Sequence, residues 1–299
     1  MSAIVYGRPA PGLVEVSAGA VQVSPLILGS SDLAGLASQS VDEAFVLAPP
    51  GTLERDYVLA LALRALRPGG VLTAFAPKDK GGSRLKLTLE RFGCRVSEEA
   101  RRHHRFCHAE RPADHPALES AVRAGGPTRL EGLGLWSQPG VFSWDRVDPG
   151  SALLMRNLPV FKGRGADLGG GIGVLAHAVL GQTTVTELTV IDIDRRANEA
   201  AKRNLDDPRV SVVWGDVRDL ALTGLDFVVM NPPFHDGGAE DRDLGQAFIA
   251  AAAKVLHKGG TLWLTANRHL PYEAALNAAF TRVGLREQAD GYKIYEAVR

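Results

Sequence analysis

The sequence predicts an α/β fold in which a doubly wound, largely parallel sheet occurs twice in tandem. In the carboxyl-terminal half, short β-branched runs alternate with amphipathic helical stretches, which is the pattern of β-α-β units with helices on both faces of a sheet. The order of features in residues 42–93 recurs in residues 226–284. A chain of 299 residues is long enough for two domains that each bury a core.

The second half contains the clearer set of elements. Strands are predicted where Val, Ile and Leu cluster, and helices where apolar residues recur at helical spacing between them. The predicted strands are 165–168, 188–191, 210–214, 227–230, 261–265 and 292–298, and the predicted helices are 173–180, 195–205, 244–256 and 272–283.

The internal repeat indicates a duplication, because a Pro-Pro pair and a Gly-Gly pair fall in register in both copies. Chance similarity between two β-α-β units is the alternative. The first copy has Ala48 where the second has Asn231, and only Leu28-Gly29-Ser30-Ser31 where a glycine-rich turn is expected, so we predict that it has lost the chemistry. The matching runs are EAFVLAPP (43–50) with DFVVMNPP (226–233), LRPGGVLTAFA (66–76) with LHKGGTLWLTA (256–266), and LTLERFG (87–93) with LNAAFTRVG (276–284).

The charge balance, the cysteine count and the lengths of the apolar runs indicate which partners and which compartment to expect. The net charge is zero, which argues against a polyanionic partner, but residues 64–111 hold twelve Lys or Arg against five acids. That segment is either a solvated helix face or an RNA-contacting surface. Cys94 and Cys107 are expected to be reduced, packed thiols. No run of about twenty apolar residues and no signal pattern occurs, so we expect a cytoplasmic protein without a membrane segment.

A glycine turn provides the first chemical signal, in the run ADLGGGIGVLA at 166–176. Gly169, Gly171 and Gly173 allow a tight turn and close approach of a ligand, and the following helix offers free N–H groups. A dinucleotide fold has Gly-x-Gly-x-x-Gly, which would require glycine at Val174. The spacing therefore favours the Gly-x-Gly-x-Gly form that holds S-adenosyl-L-methionine.

Acidic residues follow the next two strands. Asp192 ends a strand where a carboxylate can accept both hydrogen bonds of a ribose diol. Asp194 either shares that role or caps the following helix, and we favour the cap. Asp216 either accepts from an adenine amino group or caps a turn.

The run Asn231-Pro232-Pro233-Phe234 directly follows a buried strand and has a mechanism of its own. An exocyclic amino nitrogen is a poor nucleophile because its lone pair is delocalised into the ring. The Asn231 side-chain oxygen and the Pro232 carbonyl can accept its two N–H bonds and aim that lone pair, while Phe234 offers a face for stacking. A rigid Pro-Pro turn with a buried Phe would explain the prolines but not the asparagine.

Histidines are not expected to act as bases or metal ligands. Transfer to nitrogen from a sulfonium yields an acidic product that water can deprotonate, so His235 more simply positions the loop or a phosphate, and no role is assigned to Asp236. His103 and His104 lack metal-ligand spacing. We therefore expect a site without a metal.

Five runs in order resemble the RsmC-type family of bacterial ribosomal RNA guanine-N2 methyltransferases. The resemblance covers residues 140–299, whereas the first half is similar in architecture only. The runs are GVFSWDRVDPGSALL (140–154), DLGGGIG (167–173), NPPFHDG (231–237), TANRHLPYEAAL (265–276) and GYKIYEA (291–297).

This resemblance implies two tandem doubly wound Rossmann-like methyltransferase domains, the first degenerate and supporting folding and RNA binding. The implied boundaries are 1–112 for the degenerate domain, 113–139 for a linker and 140–299 for the catalytic domain. The implied partner is ribosomal RNA or the small ribosomal subunit, and we expect a monomer.

The resemblance also implies roles for individual residues. Asp167, Gly169, Asp192 and Asp216 would bind the cofactor, and residues 231–234 would hold the guanine. Phe142, Asp148 and Ser151 match the stretch that closes over the methionine end of the cofactor.

Two other functions stay open. One is the same chemistry on a protein glutamine amide or an adenine amino group, although such enzymes commonly have Tyr where this chain has Phe234. The other is a non-catalytic RNA-binding or assembly protein with a relic fold, against which the intact Asn231 and glycine turn argue.

Overall fold

The structure is a computed structural model that describes residues 2–113, 115–233, 235–236, 239–240 and 242–299, with no side chains described between 234 and 242. The chain divides into two compact units. The first comprises Met1–Pro127 and Gln138–Gly140, and the second comprises Thr128–Ser137 and Val141–Arg299.

The first unit contains a six-stranded sheet. Its strand order is β2-β1-β3-β4-β6-β5, in which β1 to β4 run parallel and β6 is antiparallel to both of its neighbours, β4 and β5. The elements are β1 (Ala3–Tyr6), β2 (Val21–Gln22), β3 (Val41–Leu47), α1 (Thr52–Ala65), β4 (Leu66–Pro77), a 3-10 helix (Gly82–Arg84), α2 (Leu85–Arg91), β5 (Val96–Arg101), β6 (His104–Glu110) and α3 (Pro116–Gly125).

The second unit contains a seven-stranded sheet in the order β11-β10-β9-β12-β15-β17-β16, of which the first five strands are parallel. The predicted doubly wound α/β class is confirmed. The elements are β7 (Thr128–Leu130), β8 (Leu135–Ser137), α4 (Pro149–Asn157), β9 (Gly163–Leu168), α5 (Val174–Leu180), β10 (Val185–Asp192), α6 (Arg195–Asn204), β11 (Val210–Trp214), a 3-10 helix (Val217–Asp219), β12 (Leu225–Met230), β13 (His235–Asp236), β14 (Ala239–Glu240), α7 (Arg242–Val255), β15 (Leu256–Asn267), α8 (Glu273–Ala279), β16 (Arg282–Ala289) and β17 (Tyr292–Val298).

Helix α4 and strand β16 are the longest elements of the second unit that the sequence did not predict. Helix α4 lies before the glycine turn, and β16 occupies part of the stretch predicted as the last helix. Helix α8 ends early because Phe280 is extended, and the Thr281 N–H then donates to the Val298 carbonyl at 2.8 Å. Pairing with β17 overrides the local helical pattern beyond this point.

The two sheets share an irregularity that supports the duplication. Between β3 and β4 the register breaks between the pairs Val41–Leu66 and Glu43–Val71. Between β12 and β15 it breaks between Leu225–Leu256 and Phe227–Thr261, at the corresponding positions. Gly70 and Gly260 lie at these breaks, where an added Cβ would stand 2.9 Å from the Arg67 carbonyl oxygen in one copy and the Leu225 carbonyl oxygen in the other.

The structure also locates what the first copy lacks. Strand β1 is the neighbour of β3, as β9 is of β12, so the counterpart of the glycine turn begins at Gly7 rather than at Leu28. Gly7 has a φ of +85°, but Arg8 and Pro9 follow it, and residues 8–20 form turns instead of a helix. The first copy therefore has no helix N-terminus at the place where α5 begins in the second.

Most of the segment 113–139, predicted as a linker, is folded. Helix α3 packs on α1 so closely that a Cβ at Gly125 would stand 2.4 Å from the Cβ of Tyr57. Strands β7 and β8 form a hairpin in the second unit, where the Trp136 N–H donates to the Asn204 side chain at 2.7 Å. The segment thus supplies a helix to the first unit and a hairpin to the second.

Both cysteines are buried and unbridged, and burial raises the pKa of Cys94 to about 11 and that of Cys107 to about 12. This agrees with the expectation of packed thiols. Within the residues that the structure describes, no helix is long and apolar enough to cross a bilayer.

Candidate active site

The predicted ligand-binding residues follow four neighbouring strands of the second sheet. Strands β11, β10, β9 and β12 are adjacent and parallel, so their carboxyl ends meet at one edge. The pairs Met230–Leu168 and Ile191–Leu168 place the residues after them at one level. A crevice at this edge is where open α/β sheets bind ligands.

The glycine turn has the backbone that its sequence predicts. Gly169, Gly171 and Gly173 have φ values of +72°, +55° and +90°, in the left-handed region that other residues rarely adopt. The Gly169 N–H donates to the Ile191 carbonyl at 2.8 Å, and Gly173 directly precedes α5. A Cβ on Gly171 would meet no atom within 4 Å, so this glycine faces open space.

Asp167 lies beneath the turn and has no exposed surface. Its Oδ2 accepts a hydrogen bond of 3.1 Å from the Ala176 N–H, while Oδ1 has no hydrogen-bond partner among the described residues. Burial raises the pKa of Asp167 to about 7, with a smaller contribution from the charge of Asp192. Asp167 thus supports the first turn of α5 from below.

Asp192 is half-buried at the end of β10, beside the turn. Its Oδ2 accepts from the Gly171 N–H and its Oδ1 from the Asp194 N–H, both at 2.8 Å. Burial, and then the charge of Asp194, raise the pKa of Asp192 to about 6. Asp194 is the N-cap of α6, as favoured from the sequence, and pairs with Arg196.

Asp216 caps the 3-10 helix that follows β11. Its carboxylate accepts from the Arg218 backbone N–H at 2.9 Å, and both its oxygens contact the Arg218 guanidinium. Hydrogen bonding by that guanidinium lowers the pKa of Asp216. The sequence left two roles open for Asp216, and in the structure its side chain caps this turn.

Asn231 follows β12 with both amide hydrogens engaged. Its Nδ2 donates to Asp148 Oδ2 and to Ser151 Oγ, each at 2.9 Å. An ionised carboxylate only accepts hydrogen bonds, so the nitrogen and not the oxygen of the amide must face Asp148. The Asn231 Oδ1 is consequently directed away from these two partners.

The beginning of α4 holds both partners of Asn231. Asp148 is the N-cap of α4, and its Oδ2 also accepts from the Ser151 N–H at 2.9 Å. Gly150 allows the Tyr292 ring to pack against this turn, because a Cβ there would stand 2.6 Å from two ring carbons. Burial, and then the charge of Asp148, raise the pKa of Tyr292.

The Pro-Pro turn adjoins the glycine turn. A Cβ on Gly169 would lie 3.1 Å from the Phe248 ring and 4.0 Å from Pro233 Cδ. Pro232 is buried, and Phe142 is 60 % exposed. Phe234 lies outside the described residues, as do the side chains of His235 and Asp236.

The role of Asp148 as an anchor for Asn231 was missed from the sequence. Asp-Pro-Gly-Ser is a recognisable helix start, with an N-cap acid and Pro at the first helical position. That signal could have located α4, but it does not reveal a partner 83 residues away. No group of three or more His, Cys, Asp or Glu suited to a metal occurs among the described residues.

Several charges of the basic segment 64–111 are used within the first unit. Arg101 donates to the Leu13 carbonyl at 2.8 Å and stacks over Phe106, and Arg102 donates to the Gly12 carbonyl at 2.7 Å. These arginines tie the loop after β1 to the β5–β6 hairpin, so they have structural contacts whatever else they bind.

Comparisons with known proteins show the family to which the chain belongs. The model of the Methyltransferase small domain family matches residues 132–296. Ribosomal RNA small subunit methyltransferase C of Shewanella amazonensis is 33 % identical over 264 residues, covering 86 % of this chain and 77 % of the relative. The protein of the same name from Stutzerimonas stutzeri is 30 % identical over 318 residues, covering 99 % and 94 %.

A solved structure extends the likeness to the fold. It is the T. thermophilus 16S rRNA N2 methyltransferase of guanine 1207, in complex with AdoMet and guanosine, with a TM-score of 0.74 and 27 % identity over 89 % of this chain and 75 % of that one. With a family model that spans more than half of the chain and relatives that are matched over most of their length, this chain belongs to the ribosomal RNA small subunit methyltransferase C family.

Proposed function

We propose that this protein transfers a methyl group from S-adenosyl-L-methionine to the exocyclic N2 of a guanine in 16S ribosomal RNA. The observation that carries the proposal is the orientation of Asn231 at the strand end beside the glycine turn. Its amide hydrogens are held by Asp148 and Ser151, which leaves Oδ1 to accept from an amine. Membership of the family supports the chemistry, and the guanosine bound to the T. thermophilus relative supports the base.

The residues present fit the cofactor. Gly171 faces open space in a positive-φ turn, so the backbone can approach a ligand without a clash. The half-buried Asp192 carboxylate, at the neighbouring strand end, would accept from a ribose diol. Asp216 lies one strand further, where the adenine would lie, and would have to share its carboxylate with Arg218.

Three further residues that the sequence predicted at the cofactor would have different roles. Asp167 would hold the turn from below rather than touch the ligand, since it has no exposed surface. The exposed ring of Phe142 is free to cover the methionine end. Ser151 contacts Asn231 and so would act on the amine side of the site.

The cofactor supplies an electrophilic methyl group on a sulfonium when it is bound. This chain orients the nucleophile. The Asn231 Oδ1 and the Pro232 carbonyl would accept the two N–H bonds of the guanine amino group, which draws its lone pair out of conjugation and aims it. Pro232 and Pro233 fix the turn, and Phe234 would stack on the base. The resulting ammonium is acidic enough for water to take its proton.

We further propose that the substrate is the guanine equivalent to position 1207 named for the T. thermophilus relative, within the small ribosomal subunit or its RNA. The first unit has Ala48 in place of the asparagine, so it would not catalyse the transfer. Its role would instead be to support folding and to contact RNA.

The test uses cofactor with a labelled methyl group. Wild-type protein is incubated with 30S subunits or with free 16S RNA from a strain that lacks the activity, and the labelled nucleotide is mapped by nuclease digestion and mass spectrometry. We expect one N2-methylguanine. Label on an adenine, on a protein glutamine, or on neither RNA nor protein would contradict the proposal.

A binding measurement separates the enzyme from a relic fold. Calorimetry with S-adenosyl-L-methionine is expected to give one site per chain in the wild type and in Asn231→Ala, with label transfer in the wild type only. Absence of cofactor binding by the wild-type protein would favour a non-catalytic RNA-binding function.

A further inference from the structure

The contacts of the Asn231 amide point to a function for two residues outside the Asn-Pro-Pro run. Asn231 Nδ2 has two N–H bonds. One donates to Asp148 Oδ2 and the other to Ser151 Oγ, each at 2.9 Å. These partners lie 83 and 80 residues away in sequence, on a different element. The strand end alone therefore does not set the orientation of the amide.

We propose that Asp148 and Ser151 are positioning residues that fix the Asn231 amide with its oxygen toward the target amine, and that the Asp148 carboxylate strengthens that oxygen as an acceptor. The inference rests on the proposed function, because it concerns the same asparagine and the same amine. It departs from the sequence-based expectation that both residues close over the methionine end of the cofactor.

Electrostatics select one of the two amide orientations. A rotation of 180° about the last side-chain bond of Asn231 would turn Oδ1 toward the Asp148 carboxylate, so two acceptors would face each other and both N–H bonds would lose their partners. In that orientation the nitrogen would face the target amine, and two donors cannot hold each other. Asp148 thus stabilises the productive orientation and destabilises the other.

The anchor itself is rigid. Asp148 is the N-cap of α4, with Pro149 at the first helical position and the Ser151 N–H donating to the same Oδ2 at 2.9 Å. The Tyr292 ring packs against Gly150, where a Cβ would stand 2.6 Å from it. Ser151 is only 7 % exposed. Supporting hydrogen bonds from such a fixed element are what hold a catalytic group within the tolerance that its reaction requires.

The charge of Asp148 adds an electronic effect. A hydrogen bond from an amide N–H to a carboxylate draws amide electron density toward its oxygen, and chains of hydrogen bonds polarise one another in this way. Asn231 Oδ1 then accepts more strongly from the amine, which in turn increases the density on the attacking nitrogen. No proton is transferred and no covalent bond forms along this chain of hydrogen bonds. Asp148 therefore acts through Asn231 and not directly on the substrate.

The test compares steady-state methylation kinetics of the wild type, Asp148→Asn and Ser151→Ala. Asn is as good an N-cap as Asp and is close to it in size, so Asp148→Asn removes the charge with little effect on α4. We expect kcat to fall by between about 10-fold and about 100-fold in each variant, as small misplacements of a catalytic group do. The KM for RNA and the calorimetric Kd for the cofactor should stay within about twofold of the wild-type values. The Tm should match that of the control variant described below.

Asp145→Asn is the matched control. Asp145 lies three residues before Asp148 in the same segment, is exposed and pairs only with Arg146 among the contacts described. Its substitution also removes one carboxylate near the site, and we expect wild-type kcat and Tm.

A pair of substitutions distinguishes positioning from simple destabilisation. Asn231→Asp alone places two carboxylates 2.9 Å apart, where both cannot ionise, and we expect a loss of more than about 100-fold. Combining it with Asp148→Asn restores one donor between the two side chains, and we expect kcat to recover by about 10-fold or more. A merely structural role for Asp148 predicts no such recovery.

The outcomes separate the two proposals. If the wild type forms no methylated guanine, the proposed function fails. If the wild type is active and Asp148→Asn and Ser151→Ala turn over at its rate, or if the double variant is no faster than Asn231→Asp, the positioning role is wrong while the proposed function stands. If Asp148→Asn fails to fold, Ser151→Ala alone decides by the same criteria.

Discussion

An alanine at Gly171 tests whether the glycine turn approaches a ligand. With a φ of +55°, this residue occupies the left-handed region, and an added Cβ would meet no protein atom within 4 Å. The substitution therefore costs only backbone strain, about 1–2 kcal/mol in the free energy of unfolding. For a unit of this size that is a fall of about 2–8 °C in Tm. The protein stays folded, but the new methyl group occupies the space left for the cofactor.

Two other glycines serve as comparisons for this prediction. Gly224 has a φ of +69° and equally open surroundings, but it precedes β12 at the opposite edge of the sheet. Gly224→Ala should lower the Tm as much as Gly171→Ala and leave cofactor binding unchanged. Gly173→Ala adds a clash, because its Cβ would stand 2.8 Å from Leu205 Cδ1, so about 1–3 kcal/mol of overpacking is added to the strain.

The assay is calorimetric titration with S-adenosyl-L-methionine, beside thermal melts of the same preparations. We expect Kd to rise by at least about 10-fold in Gly171→Ala and to be unchanged in Gly224→Ala at a similar Tm. Equal cofactor affinity in these two variants would refute the argument that the open side of the turn is a binding surface.

Three further predictions concern the site, and a fourth concerns the first unit. Asn231→Ala should abolish methyl transfer and leave cofactor Kd within about twofold; parallel losses of both would remove its assignment to the amine. Asp192→Ala should weaken cofactor binding, and an unchanged Kd would exclude the ribose role. The pKa of Asp167 is raised to about 7, so the folded state binds its proton more tightly than the unfolded state and stability falls as pH rises from about 4 to 7. Asp167→Asn should therefore reduce this pH dependence in thermal melts, and an unaltered slope would assign it to another group. Arg101→Glu should lower the Tm, since it breaks the bond to the Leu13 carbonyl, and an unchanged salt slope of RNA binding would leave it a purely structural residue.

The convergence of the site could be predicted from the sequence because it depends on topology. Strand ends of one parallel sheet meet at one edge, so Gly169, Asp192 and Asn231 had to lie near one another once their strands were recognised. The glycine φ values follow similarly from the spacing of the turn. These features are encoded locally and need no knowledge of side-chain packing.

Contacts between distant segments could not be predicted in this way. Asp148 and Asn231 lie 83 positions apart, and the sequence between them contains no periodic signal for their hydrogen bond. The burial of Asp167 depends on the elements that pack against β9, and a carboxylate two positions before the first glycine of such a turn otherwise resembles a ligand-binding group. Strand β16 was missed for the same reason, since its pairing with β17 outweighs a local helical pattern.

The two copies separate what the fold requires from what the chemistry requires. Both keep the register break and the glycine beside it, Gly70 in one and Gly260 in the other, so these features serve the sheet. Only the second has a glycine turn that opens a helix, and only the second has Asn231 where the first has the buried Ala48. Asn231 in turn depends on Asp148 and Ser151 at the start of α4, so the asparagine of the second copy is one member of a set of three residues. An asparagine introduced at Ala48 would supply only that one member, and the structure gives no reason to expect activity from that change alone.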